Sequence, residues 1–300
     1  MLRGLDPTHV RLIATYGVRF SIRTGGGLMA MLLILSLGLT GATFVVKPVE
    51  ITMDKAAQHG HGEAETAARI NEIAQSDGVV GMVREVTGGS EEETEYLLRE
   101  KPALLSAIWL ILLFIFPFLA CLAGFNQTAG EIGSRGLRYV LLRTARPNIF
   151  VGRFLGALLF TAVSTALMVG VLVTYIGVKL NVYPLGDLLG WGFQGYIALM
   201  CLATAYLALC SWISAMLDSA FGSLALCFAA AAGSLIVVKM ADAVARGMDL
   251  AWLSKCIPWG WKFDLLSGDL PTRLTGYGVM LGFTLLFLTL GLRTFTKRDL

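Results

Sequence analysis

Charge is scarce in this chain: Asp, Glu, Lys and Arg make up 15% of its 300 residues, where soluble domains carry about a quarter. Catalytic signatures are missing too. There is no G-x-x-x-x-G-K-[ST] segment, so the chain has no phosphate-cradling loop with which to bind and hydrolyse ATP itself. There is no G-x-S-x-G, H-E-x-x-H or Cys-x-x-Cys, which removes the usual nucleophile elbow, zinc helix and redox pair. The long apolar runs contain no Asp, Glu, Lys, Arg or His. Proton relays, intramembrane proteases and lipid hydrolases need such groups at membrane depth, and the expectation is that the chain is not an enzyme. An enzyme would have to rest on a residue beyond the spans, such as His59, His61 or Asp264.

What the chain has instead is hydrophobicity: 56% apolar residues and a mean hydropathy of +0.70. Crossing the roughly 30 Å hydrocarbon core takes about 20 apolar residues of helix. Six runs meet that length: Gly27–Val46, Ala103–Gly124, Phe154–Val178, Leu188–Leu217, Ser219–Val238 and Leu274–Leu292. The first is longer than a signal-peptide core and follows 26 residues of basic, amphipathic sequence, so it reads as an anchor that stays. Lys47-Pro48 is expected to end it, Pro117 to kink the second span, and the long fourth run to tilt.

Lys and Arg set the orientation. Arg3, Arg11, Arg19 and Arg23 precede span 1. Arg135, Arg138, Arg143, Arg146 and Arg153 lie between spans 2 and 3, and Arg293, Lys297 and Arg298 follow span 6. Six spans place all three groups on one side, the cytoplasm. The segment 47–102, with twelve acids against six bases, falls outside. The predicted fold is therefore an all-α, multi-pass plasma (inner) membrane protein with six transmembrane helices and both termini cytoplasmic. Residues 1–26 form an interfacial helix, 27–46 span 1, 47–102 a small helical extracytoplasmic lobe and 103–300 spans 2–6. Within that last unit, 125–153 is a cytoplasmic loop and 240–272 carries extracytoplasmic interfacial helices.

Smaller features refine this outline. Arg11, Thr15, Arg19 and Arg23 recur every four residues on one face of the helix predicted over Thr8–Thr24, with Val10, Ile13, Tyr16, Gly17 and Phe20 away from it, a pattern suited to a lipid headgroup layer or to a plain basic flank. Gly25-Gly26-Gly27 would let the chain turn into span 1. In the lobe, Ala64–Gln75 and Ser90–Arg99 read as helices, the second opened by a capping box of Ser90 and Glu93. His59 and His61, beside Glu63 and Glu65, suit a metal, and their glycine neighbours suit a flexible linker equally. Cys121, Cys201, Cys210 and Cys227 fall inside spans and Cys256 alone on the outer side, so no disulfide is expected there within one chain. Small residues at Gly152, Gly156 and Ala229–Gly233 permit close helix approach. Trp252, Trp259 and Trp261 read as boundary anchors.

The loop between spans 2 and 3 is the informative segment. Leu137, Val140, Leu141 and Thr144 fall at i, i+3, i+4 and i+7, one apolar helix face, with Arg135, Arg138, Arg143 and Arg146 on the others. A short basic amphipathic helix can lie on anionic lipid or dock into a partner's groove. The run Glu131, Gly136-Leu137-Arg138-Tyr139-Val140-Leu141-Leu142, Arg146-Pro147, Gly152-Arg153-Phe154 resembles the permease subunits of type-2 ABC exporters, in the branch that includes the permease of the nitrous-oxide reductase maturation transporter. Ile257-Pro258-Trp259 with Phe263-Asp264, and the tail Phe295-Thr296-Lys297-Arg298-Asp299-Leu300, agree with it. Ser134-Arg135 and the order Arg146-Pro147 depart from the family pattern.

The resemblance implies a transport subunit that pairs with a second permease, itself or a homologue, and docks on a cytoplasmic ABC ATPase. ATP and Mg²⁺ would be held by that ATPase, with no cofactor on this chain. Glu131, Arg135, Arg138 and Arg146 would be polar contacts, Leu137, Tyr139 and Leu142 apolar ones, around Gly136. Membrane lipid and an extracytoplasmic partner at the lobe are further expected partners, nucleic acid is not, and the substrate is unreadable. The alternative is a membrane anchor that passes ATPase motion to an extracytoplasmic partner without transport.

Overall fold

The computed structural model describes residues 5–23, 25–58, 76–78, 80, 81, 83, 90–180, 183–244 and 251–298. Among these there is no strand. Among the described residues, α-helices with both ends placed are, in chain order, α1 (Pro7–Arg23), α2 (Gly25–Gln58), α3 (Glu91–Glu95), α4 (Ala103–Gly124), α5 (Ala129–Gly133), α6 (Leu137–Leu141), α7 (Arg146–Leu180), α8 (Leu185–Met216), α9 (Ala220–Val244), α10 (Ala251–Lys255) and α11 (Leu270–Lys297). Six of the described helices, α2, α4, α7, α8, α9 and α11, are long and apolar enough to cross a membrane. This is the all-α, six-span arrangement the apolar runs predict, and it puts the described ends of the chain on one side, called here the terminal side.

Burial separates the centre from the rim. In the most apolar stretches of α4 and α8, 67% of residues are buried inside the protein, against 22% in α11. The centre is Leu105, Ile108, Trp109 and Leu112 of α4 packed with Ala198, Leu202, Ala203 and Tyr206 of α8. Gly195 of α8 lies flat against the Trp109 indole, where any Cβ would collide with the ring. Some polar groups in this interior find partners, while the Trp109 Nε1, Thr161 Oγ1 and Thr165 Oγ1 atoms are buried without one. Trp191 Nε1 donates to Ser106 Oγ at 3.0 Å, and Tyr206 and Ser234 share a hydrogen bond of 2.7 Å.

Two prolines expected to break or bend helices sit inside continuous ones. α2 runs through Lys47-Pro48 to Gln58, and its extension is tied to the far end of α7 by Lys179 and Glu50 at 3.0 Å. α4 runs through Pro117. A proline lacks the N–H that would bond the carbonyl four residues back, here that of Leu113. Trp259 fills the gap: its Nε1–H donates to Leu113 O at 3.3 Å, its ring is 1% exposed, and Phe114 meets it edge-on at 5.6 Å. Trp259 is thus a buried structural donor, not a boundary anchor; Trp252, 61% exposed, remains at the surface.

The far-side segment 251–268 is α10 followed by two 3₁₀ turns, Pro258–Trp261 and Asp264–Leu266. Ser90 opens α3 with the expected capping box, its hydroxyl accepting from Glu93 N and the Glu93 carboxylate accepting from Ser90 N. The chain then widens into a π turn, Tyr96–Glu100, held at its end by Lys101 lying over the Tyr96 and Trp191 rings. The helix predicted over 64–75 and the metal candidates His59 and His61 lie outside the described residues. All five cysteines are free thiols, and Cys256 is exposed.

Candidate functional site

On the terminal side, α1, α5 and α6 gather around the start of α7. Asp6 opens α1: its carboxylate accepts from Thr8 N at 2.9 Å, with Pro7 at the first helical position where a missing N–H costs nothing. That backbone hydrogen bond, with nearby His9 adding to it, holds the Asp6 carboxyl below its ordinary value. The helix then lies along α7 through small residues. A Cβ on Gly152 would stand 2.8 Å from Ile13 Cβ, and one on Gly156 3.1 Å from Ala14 O. So the glycines at the head of α7 serve packing within the chain, and Val10, Ile13 and Gly17, which lie away from the arginine face, face α7. Exposed on α1 are Leu12, Tyr16 and Ile22 among the apolar residues, together with Arg11, Arg19 and Arg23. The glycines at 25–27 begin α2 rather than forming a turn, and residue 24 lies outside the described residues.

The loop holds two five-residue helices rather than one longer one. They are parted at Arg135, whose φ of 57° is the left-handed conformation that a non-glycine residue rarely adopts. A span helix caps α5 from the side, the Ser214 hydroxyl of α8 accepting from both Thr128 N and Ala129 N at 2.9 Å, and in the loop before it Asn126 Oδ1 accepts from Gly130 N. Gly133 presses on the Asp218 carbonyl so closely that no side chain could stand there.

The predicted stripe faces inward. Leu137 is 1% exposed in a core with Ile149, Phe150, Ala215, Leu292 and Phe295, and Val140 and Leu141 pack on it. Thr144 Oγ1 instead meets His9 Nδ1 at 3.4 Å and accepts from Asn148 Nδ2 at 3.1 Å, while Asn148 Oδ1 accepts from Asp6 N at 3.0 Å. This network fastens the head of α1 to the loop.

The nominated contact residues divide into two groups. Tyr139 and Leu142 are 78% and 84% exposed, and Arg135 and Arg138 are exposed with them. Leu137 is interior, and Gly136 is half-buried behind it. Glu131 forms an ion pair with Arg153. Arg146 is bound to its own chain, donating to the carbonyls of Thr296 at 2.8 Å and Arg298 at 2.7 Å. Arg298 in turn pairs with Asp218 and donates to Ala215 O, so the tail motif closes the base of the bundle.

His9, Leu12 and Arg143 were not among the nominated residues. With Tyr139 and Leu142 they line a groove of ≈ 550 Å³ between α1 and α6. No sequence signal joins residues 9–13 to 139–144, because nothing local says that α1 folds back on the loop. Searches of protein-family models and of curated proteins find no match to this chain.

Proposed function

We propose that this chain is the membrane subunit of an ABC exporter and that the groove between α1 and α6 receives a separate cytoplasmic ATPase. The observation that carries the reading is the exposure of Tyr139 and Leu142 beside Leu12 on a basic rim of Arg138 and Arg143. A large aromatic and a leucine held out of the fold by a helix whose other face packs on the bundle need a partner or a lipid surface. The surrounding Arg and Tyr are the residue types that dominate protein interfaces. The loop, anchored through α5 by Ser214 to α8 and through α6 by Leu137 to the head of α7 and the end of α11, would pass a push from that partner into three spans. Nucleotide and Mg²⁺ would sit in the ATPase, and the permease would pair with a second permease subunit.

The test is co-purification of the tagged chain from native membranes in mild detergent, with bound proteins identified. The double change Tyr139→Ala with Leu142→Ala is expected to leave the yield of folded protein unchanged and to weaken a co-purifying ATPase by about tenfold or more, since two interface anchors are lost. Arg138→Glu with Arg143→Glu should do the same. An ATPase retained at wild-type level by both variants overturns the reading.

A further inference from the structure

A second groove, of ≈ 520 Å³, runs between α7, α8 and α11, with Ala14 of α1 at its terminal-side end. It shares no residue with the groove beside α6. Along α7 its wall extends from Leu155 to Ala162, about 10 Å of helix at 1.5 Å per residue, or roughly a third of the hydrocarbon core. The groove thus leads from the level of α1 into the bilayer.

Its walls offer little to water. The hydroxyls among them are turned back onto the chain: Thr204 Oγ1 donates to Met200 O at 2.7 Å, Thr284 Oγ1 to Met280 O at 2.8 Å and Tyr196 Oη to Ala162 O at 3.4 Å. The remaining lining side chains are apolar. A buried water needs two to four polar partners, so the groove calls for an apolar occupant. Its rim carries Leu155, Leu159 and Leu281, all exposed, whereas helices that pair in a bilayer meet through small residues. A flexible acyl chain fits such a rim better than the span of a second subunit.

Charge at the mouth selects the headgroup. Arg11 precedes Ala14 by three residues and so shares its face of α1. It is exposed, and no acid occurs within α1. An arginine at this level attracts anionic lipid and can form paired hydrogen bonds to phosphate. We infer that the groove binds an anionic phospholipid of the terminal-side leaflet, with its phosphate on Arg11 and one acyl chain along α7, α8 and α11. A lipid seated there bridges α1 to α8 and α11.

The test is native mass spectrometry of the delipidated full-length chain in detergent, titrated with phosphatidylglycerol or phosphatidylethanolamine of the same acyl chains. The first phosphatidylglycerol is expected to bind about fivefold tighter, the worth of one arginine to an anionic lipid. Arg11→Gln should erase that preference. Arg23 stands nine residues after Ala14, two and a half turns on and hence on the opposite face, so Arg23→Gln should leave it intact. Ala162→Phe and Thr204→Leu fill the groove from two different helices, and each should abolish the first, saturable site for both lipids. Equal affinity for the two lipids, a preference lost equally in Arg11→Gln and Arg23→Gln, or a first site undiminished in the filled variants overturns the proposal. So does a shift from dimer to monomer in the filled variants with lipid binding unchanged, which would make a second copy of the chain the occupant. None of these readouts involves an ATPase, so the result stands apart from the docking surface.

Discussion

Single residues here act across long sequence separations, which is why many of them were not legible. Pro117 could be read as a lesion in a helix, but its remedy lies 142 positions away in a tryptophan that composition assigns to the membrane boundary. The Leu113 carbonyl exposed by Pro117 and the indole of Trp259 form one unit. Removing the donor alone should therefore cost more than removing both causes. Trp259→Phe is expected to destabilise the protein by about 1–3 kcal/mol, the cost of a buried carbonyl left unmet. In a Pro117→Ala background, where the helix can supply its own N–H, the same change should cost measurably less. Thermal unfolding in detergent for the four proteins of this cycle measures the coupling. Additive losses would show that the bond does not offset the proline. The same logic explains Leu137 and Tyr139. Two positions apart on a short helix, they cannot share a face, and the structure buries one and exposes the other.

At the scale of elements, the spans were readable and their docking was not. A run of apolar residues long enough to cross a bilayer is a local property, so Ala103–Gly124 coincides with α4 as observed. The stripe of Leu137, Val140 and Leu141 was likewise legible as a helix face. Where α1 lies was not, because its amphipathic pattern suits lipid and protein equally. Close packing decides it, through Gly17, Gly152 and Gly156. Gly152→Leu should then push α1 from α7, since even its Cβ would stand 2.8 Å from Ile13; overpacking of this kind costs about 1–3 kcal/mol. Gly170, on the same helix with nothing within 4 Å of an added Cβ, is the control, and Gly170→Leu should be neutral. Limited proteolysis of α1 in detergent reads the difference. Equal resistance in the two variants would mean that α1 is not held by this contact, and the groove it forms with α6 would lose its second wall.

For the whole molecule the deciding quantity is the distribution of charge between the two ends of the bundle. The loop with α5 and α6, the head of α1 and the tail after α11 carry most of the exposed arginines, while the described far-side helix α3 opens with Glu91, Glu92 and Glu93. A basic end retained in the cytoplasm is the standard outcome of insertion, and the docking proposal depends on it, because ATP is hydrolysed there. The cysteines make the orientation measurable without rebuilding the chain. Cys121, Cys210 and Cys227 are buried and Cys201 is half-buried in the spans, whereas Cys256 is exposed at the far side. A membrane-impermeant maleimide applied to intact cells should label the wild-type chain and should fail on Cys256→Ser. Adding Arg138→Cys to that variant should restore labelling only after the membrane is permeabilised. Labelling of Arg138→Cys in intact cells would turn the bundle over. It would exclude a cytoplasmic ATPase at the α1–α6 groove.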